Sequence, residues 1–316
     1  MSNPLLSVVI PVFNVEKYLP ECLDSVLNQK YENIEIIAID DGSTDNSLNI
    51  LKKYAKENSN ITVLSQENSG PSVARNKGVK YAKGKYVHFL DADDFILPET
   101  YSSLIKMMMD NELDLIQFSA EPFLSGAKIE VDRNLYDSSH FFEIGKVYTK
   151  KEFLSVNLRA FNPSPCLYIV KRDVLINNKL LFKSGIYHED ELFTLELFLN
   201  IERSMYVPNR YYQRRYRKDS IMTSRSKEQE MKSFNSYSTV INEMNLLLEK
   251  YDNPSEIELI KKRMGSIYIG LLNKDIDKSI KRKRLAEIKV ISKQRKIFLT
   301  LKNYALKFKR YLTNNK

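Results

Sequence analysis

Apolar and polar positions over the first hundred residues fall into alternating blocks of two kinds. Residues 6–13 are a β-branched, apolar run closed by Pro11 and Asn14, the pattern of a strand buried on both faces. From residue 15 to 27 the apolar positions Tyr18, Leu19, Cys22, Leu23, Val26 and Leu27 return at helical spacing. The alternation repeats, with strands over 34–39, 61–64 and 86–90 and helices over 48–54 and 72–82. Four strands separated by helices predict an α/β fold, a mostly parallel, doubly wound sheet. Further strands are expected over 113–118, 166–170, 205–207 and 211–216, and a helix over 192–199. Residues 120–145 read as irregular and able to wrap over a site, and from about Lys227 the pattern is only helical.

In such a sheet, ligands bind beyond the carboxyl ends of the strands. The polar clusters of the first hundred residues all fall at that edge. They are Asn14; Asp40, Asp41, Gly42, Ser43 and Thr44; Asn68, Ser69, Gly70 and Pro71; and Asp91, Ala92, Asp93 and Asp94. Their shared location favours a nucleotide site over four independent helix caps. No GxGxxG and no GxxxxGK[ST] occurs, so neither a dinucleotide site nor a P-loop is supported.

The last cluster carries the most chemistry. In an extended segment residues i and i+2 project the same way, so Asp91 and Asp93 are expected to face one point. Few, hard oxygen ligands suit Mg²⁺ or Mn²⁺ and leave coordination positions for substrate phosphates. The competing reading is an acidic turn that caps a helix near Pro98. A second acidic group, Glu189, Asp190 and Glu191, heads the helix over 192–199, whose dipole is expected to keep Asp190 ionised. An N-terminal cap is the alternative role for Asp190. His88 reads as a packed core histidine and Met107, Met108 and Met109 as core filler, whereas for His188 structural and ligand-contacting roles stay open.

Of 316 residues, 43% are hydrophobic and 28% charged, ordinary for a soluble globular protein. Cys22 and Cys166 are far apart and form no CxxC pair, which argues against a disulfide framework or a zinc site. Without a secretory-type leader or a membrane-spanning apolar run, a cytoplasmic location is expected. The net charge of +9 is concentrated at the end of the chain: residues 261–316 hold 18 Lys and Arg against 3 Asp and Glu, and the first 260 hold 31 against 37. That segment suggests an anionic partner or a solvated helical face, and nucleic acid is disfavoured because no binding module accompanies the charge. Within it Ile297, Phe298, Leu301, Tyr304, Ala305, Phe308 and Leu312 form one helical face among Lys302, Lys307, Lys309 and Arg310. This suits equally a helix lying in an anionic membrane interface, peripheral at the inner face of the cytoplasmic membrane, and a helix packed on the rest of the protein.

Five motifs now stand in order: SVVIPVFN from Ser7, DDGSTD from Asp40, NSGPSVARN from Asn68, FLDADD from Phe89 and HED from His188. Together they resemble the family 2 glycosyltransferases over roughly the first 220 residues. The resemblance implies a GT-A fold and inverting, metal-dependent transfer from a nucleotide-sugar donor, usually UDP-linked. It implies that Asp40 meets the base, with the backbone of Pro11, Val12 and Phe13 lining the same pocket, that Asp91 holds the ribose and that Asp93 binds the metal. By the same resemblance Arg75 lies near the donor phosphates, and Asp190 is the general base with Glu189 as supporting acid. A family ending in YR-x-R-x-x-SIM stands altered as Arg214, Arg215, Tyr216, Arg217, Lys218, Asp219, Ser220, Ile221 and Met222, with Arg215 and Arg217 as candidates for the diphosphate. The implied acceptor is a lipid-linked oligosaccharide in capsular or other surface-glycan synthesis.

The expected division is a catalytic domain over 1–225, with a nucleotide-binding half over 1–112 and an acceptor-binding half over 113–225, followed by a basic helical region over 226–316. A sugar-nucleotide nucleotidyltransferase is the enzymatic rival, but it needs a glycine-rich basic loop after the first strand and residues 14–17 offer none. A non-catalytic binding subunit of an assembly complex is the other.

Overall fold

The computed structural model describes residues 5–126, 130–217 and 226–314, with the backbone alone for 308–314. In chain order the elements are β1 (Leu6–Val12), α1 (Leu19–Leu27), β2 (Ile34–Asp40), α2 (Ser47–Glu57), β3 (Ile61–Ser65), α3 (Pro71–Tyr81), β4 (Tyr86–Phe89), β5 (Phe95–Ile96), α4 (Thr100–Asp110), β6 (Leu115–Ser125), β7 (Tyr148–Thr149), α5 (Lys150–Ala160), β8 (Tyr168–Lys171), α6 (Arg172–Asn177), α7 (Glu189–Phe198), β9 (Arg203–Arg217), α8 (Lys227–Lys250), α9 (Pro254–Asn273), α10 (Lys278–Glu287) and α11 (Lys293–Asn314). Two compact units result. One runs to Gly185 and resumes at Glu189 through β9; the other joins Ile186–His188 to helices α8 to α11.

The first unit is built on one sheet, in the order β3-β2-β1-β4-β8-β6-β9-β5 with β7 on β9. Strands β1 to β4 are parallel, and β8 runs antiparallel between β4 and β6. The expected α/β fold is therefore present. Val12 pairs with Asp40 and Asp40 with Ser65, so the exits of β1, β2 and β3 share one row. At β4, Leu90 N–H donates to Val9 O, and Asp91 follows at the same edge.

Helix α3 comes very close to the sheet. A methyl group added at Gly78 would lie 2.3 Å from Val9 Cγ1 and 3.0 Å from Ile39 Cδ1. Gly78→Ala is expected to destabilise by about 1–3 kcal/mol through overpacking. Denaturant midpoints measure this, and Val9→Ala in the same chain should recover part of the loss; an unchanged midpoint for the single variant would refute the close packing.

Four expectations change. The strands expected over 205–207 and 211–216 are one strand, β9, whose pairing to β6 jumps from Phe118↔Val207 to Ala120↔Tyr212. The excess residues around Pro208, which has no N–H to donate, make this irregularity. Residues 120–125, expected to be irregular, continue β6. Residues 15–18 form a turn before α1, with Val15 N–H donating to Ser47 Oγ at 3.0 Å. Of the three methionines, Met108 is fully buried and Met109 is exposed. Ser220, Ile221 and Met222 lie outside the described residues.

In the helical unit α11 packs along α9. Asn273 and Asn303 exchange amide hydrogen bonds of 3.0 and 3.1 Å, and Leu299 lies beside Gly265. Among the described residues no helix is long and apolar enough to cross a membrane.

Candidate active site

The loops leaving β1, β2 and β3 are knitted into one wall. Asn14, at φ 51°, accepts the Thr44 N–H at 2.8 Å through its side chain and donates its own N–H to Ser43 Oγ at 3.2 Å. Asp45 accepts from the N–H groups of Glu16 and Ser47. Asp41 braces the next loop, taking hydrogen bonds from Gln66 Nε2, Ser69 N–H and Gly70 N–H at 2.8–2.9 Å. Gly42 has φ 73°, and a Cβ there would sit 2.9 Å from Asn68 N, so this contact admits only glycine. Within this wall Asp40 is buried, with Oδ1 accepting from Ser43 N–H at 3.3 Å. Val12 is buried and Phe13 exposed, with Pro11 between those extremes.

The acidic cluster is a turn, closed by Asp94 N–H donating to Asp91 O at 3.0 Å, rather than an extended segment. Asp91 and Asp93 therefore meet different partners instead of one point, and none of the cluster caps α4. Pairing of β5 with Gln213 and Tyr212 brings the turn against the arginines of β9. Asp91 Oδ1 accepts from Arg75 at 2.9 Å and Oδ2 from Arg214 at 2.7 Å. Burial alone would raise the Asp91 pKa, but the two guanidiniums outweigh it and hold the carboxyl well below its usual range. Asp94 is buried and takes Tyr212 OH and Arg215 N–H, each at 2.6 Å, beside Arg214. Asp93 Oδ2 accepts from Arg217 Nε at 2.9 Å. Arg215 donates to the Asp93 carbonyl at 2.7 Å, pairs with Glu21 and lies over the rings of Tyr18 and Phe123. Ala92 is buried between these acids.

Helix α3 ties this turn to the second acidic group. Arg75 also reaches Glu189 at 3.1 Å, so one mostly buried guanidinium bridges the end of β4 and the start of α7. Its neighbours Ser72 and Asn76 hold the chain that leads there: Ser72 Oγ donates to Lys183 O, and Asn76 exchanges two bonds with the Phe182 backbone. Asp190 follows Glu189 inside the first turn of α7, and its Oδ1 accepts the Glu191 N–H at 2.9 Å. Burial first, and then the adjacent Glu189 and Glu191, push its pKa up to about 7. Burial thus opposes the ionisation that the helix dipole was expected to favour. His88 is buried, with one ring nitrogen on Tyr101 OH and the other on Cys166 O. In the helical unit His188 bonds Ser233 Oγ at 2.6 Å and stacks on Tyr237 at 3.7 Å, and burial lowers its pKa to about 4.

With this arrangement in hand, comparison with known proteins is decisive. The family description "Glycosyl transferase family 2" matches residues 7–178. The chain belongs to that family. The uncharacterized glycosyltransferase YibD of Escherichia coli K12 is 34% identical over 256 residues, which cover 79% of this chain and 71% of that protein. The poly(ribitol-phosphate) beta-glucosyltransferase of Bacillus spizizenii W23 is 33% identical over 210 residues, 63% of this chain and 30% of that one. Among solved structures, S. aureus TarS 1-349 in complex with UDP-GlcNAc superposes with a TM-score of 0.62 at 26% identity, over 90% of this chain and 71% of that one. The chain is a glycosyltransferase with the GT-A architecture.

A family 2 enzyme of this kind raises the question of a cation. Among the described residues no three acidic, histidine or cysteine side chains gather as a metal cage. Asp91 is engaged on both oxygens, whereas partly exposed Asp93 has one oxygen on Arg217 and the other without a hydrogen bond among the described residues. One available carboxylate oxygen fits a hard divalent ion whose remaining ligands are donor phosphates and water. Arg214, which binds both Asp91 and Asp94, is the residue that sequence reasoning missed. Its signal was present: it stands two residues from both Tyr212 and Tyr216 on a strand, the period of a row that faces one way, and both tyrosines are buried.

Proposed function

We propose that this glycosyltransferase moves a sugar from a UDP-linked donor, with inversion, to a hydroxyl of a lipid-linked oligosaccharide during surface-glycan synthesis. The observation that carries the reading is the Arg75 bridge, 2.9 Å to Asp91 and 3.1 Å to Glu189, which holds the donor-side turn and the base-bearing helix in one place. In this reading residues 1–112 bind the nucleotide and 113–225 the acceptor. Asp40 receives the base, beside the backbone of Pro11, Val12 and Phe13, with Gly42, Ser43, Asn68 and Gly70 shaping the pocket. Asp41 acts behind them by fixing the 68–70 loop.

A Mg²⁺ or Mn²⁺ ion on Asp93 would supply Lewis-acid neutralisation of the departing diphosphate. Arg217 sits on the other oxygen of Asp93 and orients it. Asp91 positions Arg75 and Arg214 near the same phosphates, where a guanidinium adds charge-assisted hydrogen bonds. Asp190 takes the proton of the acceptor hydroxyl; burial and the neighbouring Glu189 charge raise its basicity, and Arg75, paired with Glu189, tempers that effect. The UDP-GlcNAc complex of TarS supports a UDP donor. A poly(alditol phosphate) hydroxyl is the second reading of the acceptor, favoured by the poly(ribitol-phosphate) relative.

UDP-sugars with Mn²⁺ are expected to give slow release of UDP, and Asp93→Ala to reduce it to background while circular dichroism stays unchanged. Turnover by Asp93→Ala at the parent rate would remove the metal assignment. Thermal shift against a panel of nucleotide sugars identifies the donor, since binding to the native state alone raises Tm.

A further inference from the structure

Helix α11 has a packed side and an open apolar one. Leu299, 3% exposed, and Asn303, 6% exposed, lie against α9. At 3.6 residues per turn, Ile297, Leu301 and Tyr304 fall on the opposite side with Phe298 at its edge. That side is open: Leu301 is 64% and Tyr304 66% exposed, the highest values for large hydrophobic side chains among the described residues. The helix thus packs through one side and presents Ile297, Phe298, Leu301 and Tyr304 of the stripe to solvent.

Cations border the stripe on both flanks. On one, a cavity of about 540 Å³ between α9 and the start of α11 is floored by Met264, Ile291 and Leu299 and rimmed by Lys261, Lys262 and Arg295, with Glu258 as the acid on its edge. Arg295 sits 5.1 Å over the Phe298 ring, which places its charge at the border of the stripe. On the other flank a hollow of about 370 Å³ is bordered by Lys278, Lys281, Arg282 and Lys296. Lys261, Lys262, Lys278, Arg282 and Lys302 have no ion-pair partner among the described residues.

We propose that α11 lies in the surface of an anionic bilayer, with Ile297, Phe298, Leu301 and Tyr304 among the acyl chains and the flanking cations on headgroup phosphates. A second copy of the chain is the less favoured occupant, because stripe-to-stripe docking would bring two sets of uncompensated cations together. An anionic lipid surface satisfies the apolar row and both cationic borders at once. This goes beyond the transfer reaction and does not depend on it.

The test uses the full chain with vesicles of phosphatidylcholine, alone or mixed with phosphatidylglycerol. The chain is expected to sediment with the mixed vesicles and about tenfold less with phosphatidylcholine alone or at raised salt. Leu301→Glu with Tyr304→Glu should cut sedimentation by at least about tenfold, leaving far-ultraviolet circular dichroism and donor hydrolysis unchanged. No sedimentation with phosphatidylglycerol, equal binding to both lipids, or full binding by the double variant overturns the proposal. So does a dimer in light scattering that the double variant dissolves without any vesicle binding. Donor hydrolysis in the same samples separates failure of this proposal from failure of the proposed function.

Discussion

Asp190→Asn is expected to lower glycosyl transfer about 10²- to 10⁴-fold while leaving donor affinity nearly unchanged, the loss typical of removing a general base. Asn is close in size and still accepts a hydrogen bond from the Glu191 N–H, so the start of α7 should persist. The pH dependence gives an independent check. A base acts in its deprotonated form, and burial raises the Asp190 pKa to about 7, so kcat/KM should climb about tenfold per pH unit below 7 and level off above it. A base with the ordinary carboxylate value would place that limb near 4. Full transfer by the Asn variant, or a rate independent of pH from about two units below the expected midpoint to about one unit above it, would reject Asp190 as the base.

The second large effect belongs to Arg75. Arg75→Met removes the shared cation between Asp91 and Glu189, leaving Glu189 without that partner and Asp91 with Arg214 alone. Breaking a buried pair from one side typically costs about 3–5 kcal/mol, and the hydrophobic replacement does nothing for the stranded carboxylates. Arg75→Lys keeps the charge without the two-armed reach and should fall between. Denaturant titration distinguishes the three chains, and donor turnover in each reports whether the bridge also serves the reaction. Stability and turnover of Arg75→Met equal to the parent would show that the bridge does neither.

What the sequence revealed was local in origin. The strand–turn–helix alternation, the glycine at 42 and the acids after β4 are each fixed by a handful of neighbouring residues, and the α/β order followed from them. Arg214 was harder to see, because its role depends on β5 pairing with β9 more than a hundred positions later. The splay of Asp91 and Asp93 had the same cause: β9 supplies separate arginines, and the turn replaces the assumed extended geometry. The elevated pKa of Asp190 comes from burial, which a helix-start pattern does not report. In α11 Ile297, Phe298, Leu301 and Tyr304 of the periodic stripe are left outside, while the packing side has only Leu299 and Asn303 to announce it.

The amide exchange between Asn273 and Asn303 has a consequence for that last helix. A seam of hydrocarbon alone tolerates slippage by a turn, since one methyl group substitutes for another. Two side chains that each need the other's donor and acceptor are satisfied in a single alignment, and any slip strands both. The pair works as a detent: it gives up some adhesion and in return fixes the rotation of α11, so that one compass bearing of the helix always looks outward.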